Sequence, residues 1–165
     1  MKTLYLMRHA KSSWSFDDLS DRERPLNDRG REDAPRMGQA LAKRDIHLDL
    51  LVSSPAVRAL STAVLVAREV GYPHDNIQIE RGIYQADLDT LLDIIRELPD
   101  EASSVLLTAH NPTITDAGNH LSPSPLSGEM PTAAILCLRF QTEHWAEVKQ
   151  TNAEFYFFDT PKNEQ

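Results

Sequence analysis

Apolar and polar positions follow two rhythms along this chain. Some apolar residues form short unbroken runs, and others recur every three or four positions. A short run bounded by polar residues suits a buried strand, whereas the longer recurrence suits a helix with one packed face. Thr3-Leu4-Tyr5-Leu6-Met7 is the first run and predicts a strand with Arg8 and His9 at its carboxyl end. Ala34, Met37, Gly38, Leu41 and Ala42 then predict a helix, with Asn27 or Asp28 as its cap and Pro35 as a local distortion. Leu48 to Val52 predicts a second strand ending in Ser53-Ser54-Pro55. Pro55 suits the first turn of a helix that stops at Gly71, so Arg58 falls on that first turn.

Asn76 to Glu80 predicts a short third strand. A helix follows from about Asp87 to Leu98, with Leu88, Leu91, Leu92 and Ile95 on one face. Val105 to Ala109 is a strong strand that gives way at His110-Asn111-Pro112 to a helix reaching Leu121, and Ser122-Pro123-Ser124-Pro125 reads as a loop. Beyond Ala133 the pattern becomes strand-rich: Ile135 to Phe140, Trp145 to Lys149 and Phe155 to Phe158, with the first two expected to pair as a hairpin. Strands alternating with helices imply a mainly parallel sheet covered on both faces, a three-layer α/β/α sandwich. Such sheets bind ligands beyond the carboxyl ends of their strands. Three segments end there with residues suited to phosphate: Arg8-His9, Ser53-Ser54-Pro55 with Arg58, and His110-Asn111.

With 165 residues, 41% of them apolar and 25% charged, the chain reads as globular. A chain of this length buries about 70% of its unfolded surface, and with no repeat or linker residues 1–165 are expected to form a single domain. No run approaches the ~20 apolar residues of a membrane span, and Arg8 comes too early for a secretory leader, so a cytoplasmic protein is expected. The one cysteine, Cys137, lies between Leu136 and Leu138, where it is expected as an unreactive strand residue. The net charge of −8 argues against nucleic acid as a partner. Residues 1–44 nevertheless hold 10 Lys/Arg against 7 Asp/Glu, while the remainder holds 7 against 18. An anion site is therefore expected to draw on the first third, with Arg22, Arg29, Arg31 and Arg36 solvated beside acidic neighbours.

Phosphoryl transfer through a side chain needs an attacking atom in line with phosphorus and cations around the oxygens where charge accumulates. Arginine serves that end well, since its planar fork binds phosphate oxygens two at a time and stays charged. Neither a His-Glu-x-x-His metal pair nor a Walker-type loop is present, so no metal or other cofactor is expected.

Arg8-His9-Ala10, then Ser53-Ser54-Pro55-Ala56-Val57-Arg58-Ala59 with Thr62, and His110-Asn111-Pro112 resemble the histidine phosphatase superfamily, which includes phosphoglycerate mutases and acid phosphatases. Arg24-Pro25-Leu26 followed by Gly30, and Pro131-Thr132-Ala133, resemble its small SixA-like phosphohistidine phosphatases. The resemblance covers residues 2 to 140 and implies a phosphoglycerate-mutase-like fold. It also implies His9 as nucleophile, Arg8, Arg58 and His110 as the phosphoryl pocket, Arg24 as a further clamp and Ser12 as a hydroxyl donor. His47, His74, His120 and His144 match no motif and are expected at the surface.

Ala10 stands where glycine is usual, and Ser15 where the mutase branch often has asparagine. Many relatives carry a carboxylate acid after the third strand, where this chain has Tyr84-Gln85-Ala86-Asp87. Gln85 has no proton to give, and Asp87 gives one only if its loop places it well. Expelling an alkoxide needs a general acid far more than expelling an imidazole that is already protonated. Only 47 residues separate Thr62 from His110, leaving little for a lid, and an open site suits a phosphorylated side chain on a folded protein. The expected activity is therefore phosphoryl transfer from protein phosphohistidine to His9 and then to water. A phosphatase or mutase of small phosphate monoesters is one alternative, and a non-catalytic module that binds phosphorylated proteins is another.

Overall fold

A computed structural model describes residues 1–163, so the last two residues of the expected domain, 164 and 165, lie outside the described residues. In chain order the elements are β1 (Lys2–Arg8), α1 (Asp28–Lys43), β2 (Leu50–Ser53), α2 (Val57–Val70), β3 (Gln78–Ile79), α3 (Leu88–Arg96), β4 (Ser104–Ala109), α4 (Thr113–Leu121), β5 (Ile135–Phe140) and β6 (Ala153–Asp159). The strands form one sheet in the order β3-β2-β4-β1-β5-β6, parallel except that β5 runs against both of its neighbours. None of the described helices is long and apolar enough to cross a membrane.

Alternation along the strands sends side chains to two cores. Leu4, Leu6, Val105 and Leu107 pack on one face with α3 and α4, which contribute Leu91, Ile95, Ile114 and Leu121. Tyr5, Met7, Leu51 and Leu106 pack on the other with α1 and α2, which contribute Met37, Leu41, Ala63 and Val66. Both faces of β1 are thus covered, which is why its sequence is a continuous apolar run. The result is the three-layer sandwich with a mainly parallel sheet.

Local chemistry fixes the helix ends. Asn27 caps α1 by accepting from the Gly30 N–H at 2.9 Å, and the helix continues through Pro35. Gly71 ends α2 with φ +74°. Asp87 caps α3 by accepting from the Thr90 N–H at 2.8 Å.

Two expectations are corrected. Trp145 to Lys149 is no strand: Trp145–Glu147 is a 3-10 turn, and β5 pairs antiparallel with β6, from Ile135 opposite Asp159 to Phe140 opposite Ala153. Trp145 is fully buried, with its backbone N–H on Asp100 Oδ1 at 2.9 Å and its indole N–H on the Ala102 carbonyl at 2.7 Å. Those bonds draw the segment under the sheet, and β6 takes the place beside β5. The third strand is also shorter than expected, since only Gln78 and Ile79 pair with β2, and both are exposed at the sheet edge.

Candidate active site

The carboxyl ends of β1, β2 and β4 lie side by side, and each delivers part of one pocket. His9 follows β1 and is held by backbone bonds on two sides: its N–H reaches the Ala109 carbonyl at 3.1 Å, and its carbonyl accepts from the Ala133 N–H at 3.1 Å. Ala133 makes that return contact with φ +64°, so the Pro131-Thr132-Ala133 motif folds back onto Arg8 and His9. Thr62 of α2 joins the two halves of the pocket. Its hydroxyl donates to the Arg58 carbonyl at 2.7 Å and accepts from the Ala10 N–H at 2.9 Å.

His9 and His110 face one another with ring centroids 5.2 Å apart. The Nδ1 of His9 lies 2.7 Å from the Ala10 carbonyl, which only accepts, so that nitrogen carries the proton and Nε2 carries the lone pair. Burial is the main influence holding His9 down at about 3; the Ala10 carbonyl pulls the other way, and His110, Arg58 and Arg8 add to the depression. His110 is held at about 4, first by burial and then by Arg58, with Asp21 opposing and Arg8 and Arg24 adding to it. Both rings are therefore neutral at pH 7, and His9 Nε2 is available as a nucleophile.

The cations are positioned from behind. Arg8 donates from Nη1 to the Met130 carbonyl at 2.9 Å, and Asn111 Nδ2 reaches the same carbonyl at 3.0 Å. Arg58 donates from Nη1 to the Asp21 carbonyl at 2.7 Å and from Nη2 to the Asp21 carboxylate at 3.0 Å. That carboxylate also accepts from Arg24 Nε at 3.1 Å and from the Tyr84 hydroxyl at 2.7 Å, and the Tyr84 ring stands edge-on to His110 at 5.8 Å. Burial pushes the Asp21 carboxyl up, but the Tyr84 and arginine bonds outweigh it and leave it below the usual carboxylate range. Four buried polar atoms, Arg8 Nε, Arg58 Nε, His110 Nδ1 and Thr108 Oγ1, have no hydrogen-bond partner among the described residues. The two arginine Nε–H groups are donors, and a bound anion would supply the acceptors they lack.

Of the residues expected at the site, Arg8, His9, Arg58 and His110 come together, and Arg24 joins them through Asp21. Arg24 is buried, and its guanidinium stacks 3.4 Å from the centroid of the exposed Trp14 ring. The backbone of Ser12 forms a lone antiparallel bridge to Leu26, and its hydroxyl bonds to none of the described pocket residues. Asp87 is exposed and committed to its helix cap, whose bonds hold its carboxyl below the usual range, so it stands as a carboxylate and not as an acid. Gln85, with φ +60°, lines a cavity of about 320 Å³ together with His110, Asn111 and Ile83. His47, His74, His120 and His144 are exposed.

Asp21, Tyr84 and Ser54 have functional contacts that sequence reasoning did not assign. Sequence reasoning assigns Asp21 no role beside the expected clamp Arg24, although their i,i+3 spacing places the two together. Ser54 reads as part of a strand-end motif, but its bond to His110, 56 residues away, and that of Tyr84 to Asp21, 63 residues away, have no local signal.

The family model of the histidine phosphatase superfamily (branch 1) matches residues 4–88. An uncharacterised protein of Mycobacterium leprae is 29% identical over 94% of this chain and 100% of its own length. A solved structure assigned as phosphohistidine phosphatase SixA from Agrobacterium tumefaciens is 27% identical, with TM-score 0.82 over 97% of this chain and 98% of that one. The tungstate complex of the protein histidine phosphatase SixA has the same fold, with TM-score 0.82 at 22% identity over 99% of both chains.

Proposed function

Because the chain belongs to the histidine phosphatase superfamily, in its SixA-like branch, we propose that it dephosphorylates protein phosphohistidine through a phospho-His9 intermediate. The observation that carries this reading is the pairing of His9 and His110 with His9 Nε2 deprotonated among Arg8 and Arg58. In the first step the Nε2 lone pair forms a bond to phosphorus while the bond from phosphorus to the substrate imidazole breaks. That imidazole, protonated beforehand on its other nitrogen, leaves neutral. In the second step water attacks phosphorus, the bond to His9 breaks, and phosphate is released. Arg8, Arg58 and His110 meet the charge that builds on the phosphoryl oxygens, so the reading routes no step through a metal.

The absence of an acid at Gln85 and Asp87 supports this substrate class. Gln85 has no acidic proton, and the Asp87 carboxylate is held in its ionised form by the α3 cap. An ester oxygen would leave without assistance, whereas a protonated imidazole needs none.

The test is the intact mass after brief incubation with phosphoramidate and an alkaline quench, followed by turnover of a phosphohistidine peptide against a sugar phosphate. One phosphoryl adduct is expected in the parent and none in His9→Ala, with the peptide turned over at least ten times faster. An adduct that survives His9→Ala removes the nucleophile from this reading, and a preference for the sugar phosphate removes the substrate.

A further inference from the structure

Ser54 closes β2 and is fully buried. Its backbone N–H bonds to the Thr108 carbonyl at 3.1 Å, which ties the ends of β2 and β4 together. Its hydroxyl oxygen accepts from the Ala56 N–H at 3.2 Å and lies 2.7 Å from His110 Nε2. We propose that Ser54 is a positioning residue that fixes the His110 tautomer, so that the ring offers an Nδ1–H to the phosphoryl group. The inference rests on the phosphatase reading for its purpose and on proton accounting for its content.

A hydroxyl has one proton to give and two lone pairs to receive, and a neutral imidazole has one N–H and one lone pair. The Ala56 N–H takes one lone pair of Ser54. If His110 carried its proton on Nε2, that proton would point at Ser54 Oγ. The Ser54 hydroxyl would then be fully buried with no acceptor among the described residues, and the Nδ1 lone pair would be buried without a donor. Two polar groups would be stranded. If the proton sits on Nδ1, the Ser54 hydroxyl donates to Nε2, and only the Nδ1–H is left without a protein partner. Buried polar groups are rarely left unpaired, so the second arrangement is favoured.

The neighbouring hydroxyl does not compete for this role, since Ser53 donates to the Ser54 carbonyl at 2.8 Å. The remaining Nδ1–H joins Arg8 Nε and Arg58 Nε as a third buried donor of one kind. The same tautomer thus gives the two rings opposite duties. His9 carries its proton away from phosphorus, on the Ala10 carbonyl, and attacks with Nε2. His110 hides Nε2 against Ser54 and presents its proton.

The decisive measurement is the ¹⁵N NMR spectrum of ring-labelled histidine at pH 7, with His110→Asn assigning the signals. For the parent, His110 Nδ1 is expected at a protonated, pyrrole-type shift and Nε2 at an unprotonated, pyridine-type shift. The reverse pattern, or a doubly protonated ring, overturns the proposal without touching the phospho-His9 reading. In Ser54→Ala the two shifts are expected to move toward a tautomer average. Phospho-His9 formation from phosphoramidate should then slow by about tenfold, less than the 10²–10³ typical of deleting an oxyanion donor outright. A folded Ser54→Ala with the parent's shifts and rate would equally reject the assignment, whereas loss of the adduct in the parent itself would instead remove the phosphatase reading.

Discussion

His9 and His110 stay uncharged at pH values where free imidazole takes up a proton, and this couples the pocket to stability. An unfolded chain protonates both rings as pH falls through about 6.5, whereas the folded chain protonates them only near 3 and 4. Between those limits the unfolded state binds more protons. Stability is therefore full above about pH 6.5 and falls as acid is added, by about 1.4 kcal/mol per pH unit for each ring. Urea titrations between pH 7 and pH 5 are expected to show this decline, with a shallower slope in His9→Asn; an equal slope in both proteins would mean that the fold does not hold His9 neutral. At this scale the motif residues were legible, because each stands at the end of an apolar run. Asp21 and Tyr84 were not, since what gives them a role is a through-space bond between a loop before α1 and a turn before α3.

The helices and the central strands follow from apolar spacing, and their ends from ordinary capping chemistry. The misreading of Trp145 shows where that approach fails. A short, largely apolar segment looks like a strand, and only the acceptors at Asp100 and Ala102 turn it into a plug. Gly30 shows the converse, a residue whose reason is invisible until the elements are packed. A Cβ at Gly30 would stand 2.1 Å from the Lys11 carbonyl, so α1 touches the loop after His9 at van der Waals limits. That loop is fastened further by the Asn27 N–H on the Lys11 carbonyl at 3.0 Å and the Ser13 N–H on the Pro25 carbonyl at 2.8 Å. Gly30→Ala is expected to cost about 1–3 kcal/mol through overpacking. It should also lower the yield of phospho-His9, because Lys11 has to move and Ala10 moves with it. Thermal melts and the intact-mass assay measure the two effects, and an unchanged melting point would show that the contact relaxes freely.

For the whole molecule, sequence periodicity was enough to anticipate a sandwich with a mainly parallel sheet and a site at the strand ends. The charge asymmetry pointed in the same direction: the first third of the chain supplies Arg8, His9 and Arg24, although the protein as a whole carries −8. What composition could not specify is the closing hairpin, whose pairing depends on where residues 141–152 are taken up. That hairpin encloses the chain's one cysteine. Cys137 lies on β5 with no exposed surface, and burial is the main cause that pushes its thiol up to about 12. The reaction proposed for this pocket is carried by nitrogen, so it does not depend on the thiolate chemistry through which alkylating and oxidising agents silence sulfur-dependent phosphatases. Iodoacetamide or mild peroxide should leave turnover intact, and carbamidomethylation should appear only as the chain unfolds in urea. Rapid labelling of the native protein would contradict the burial. Turnover that persists through such treatment is the expected mark of a reaction that does not run through sulfur.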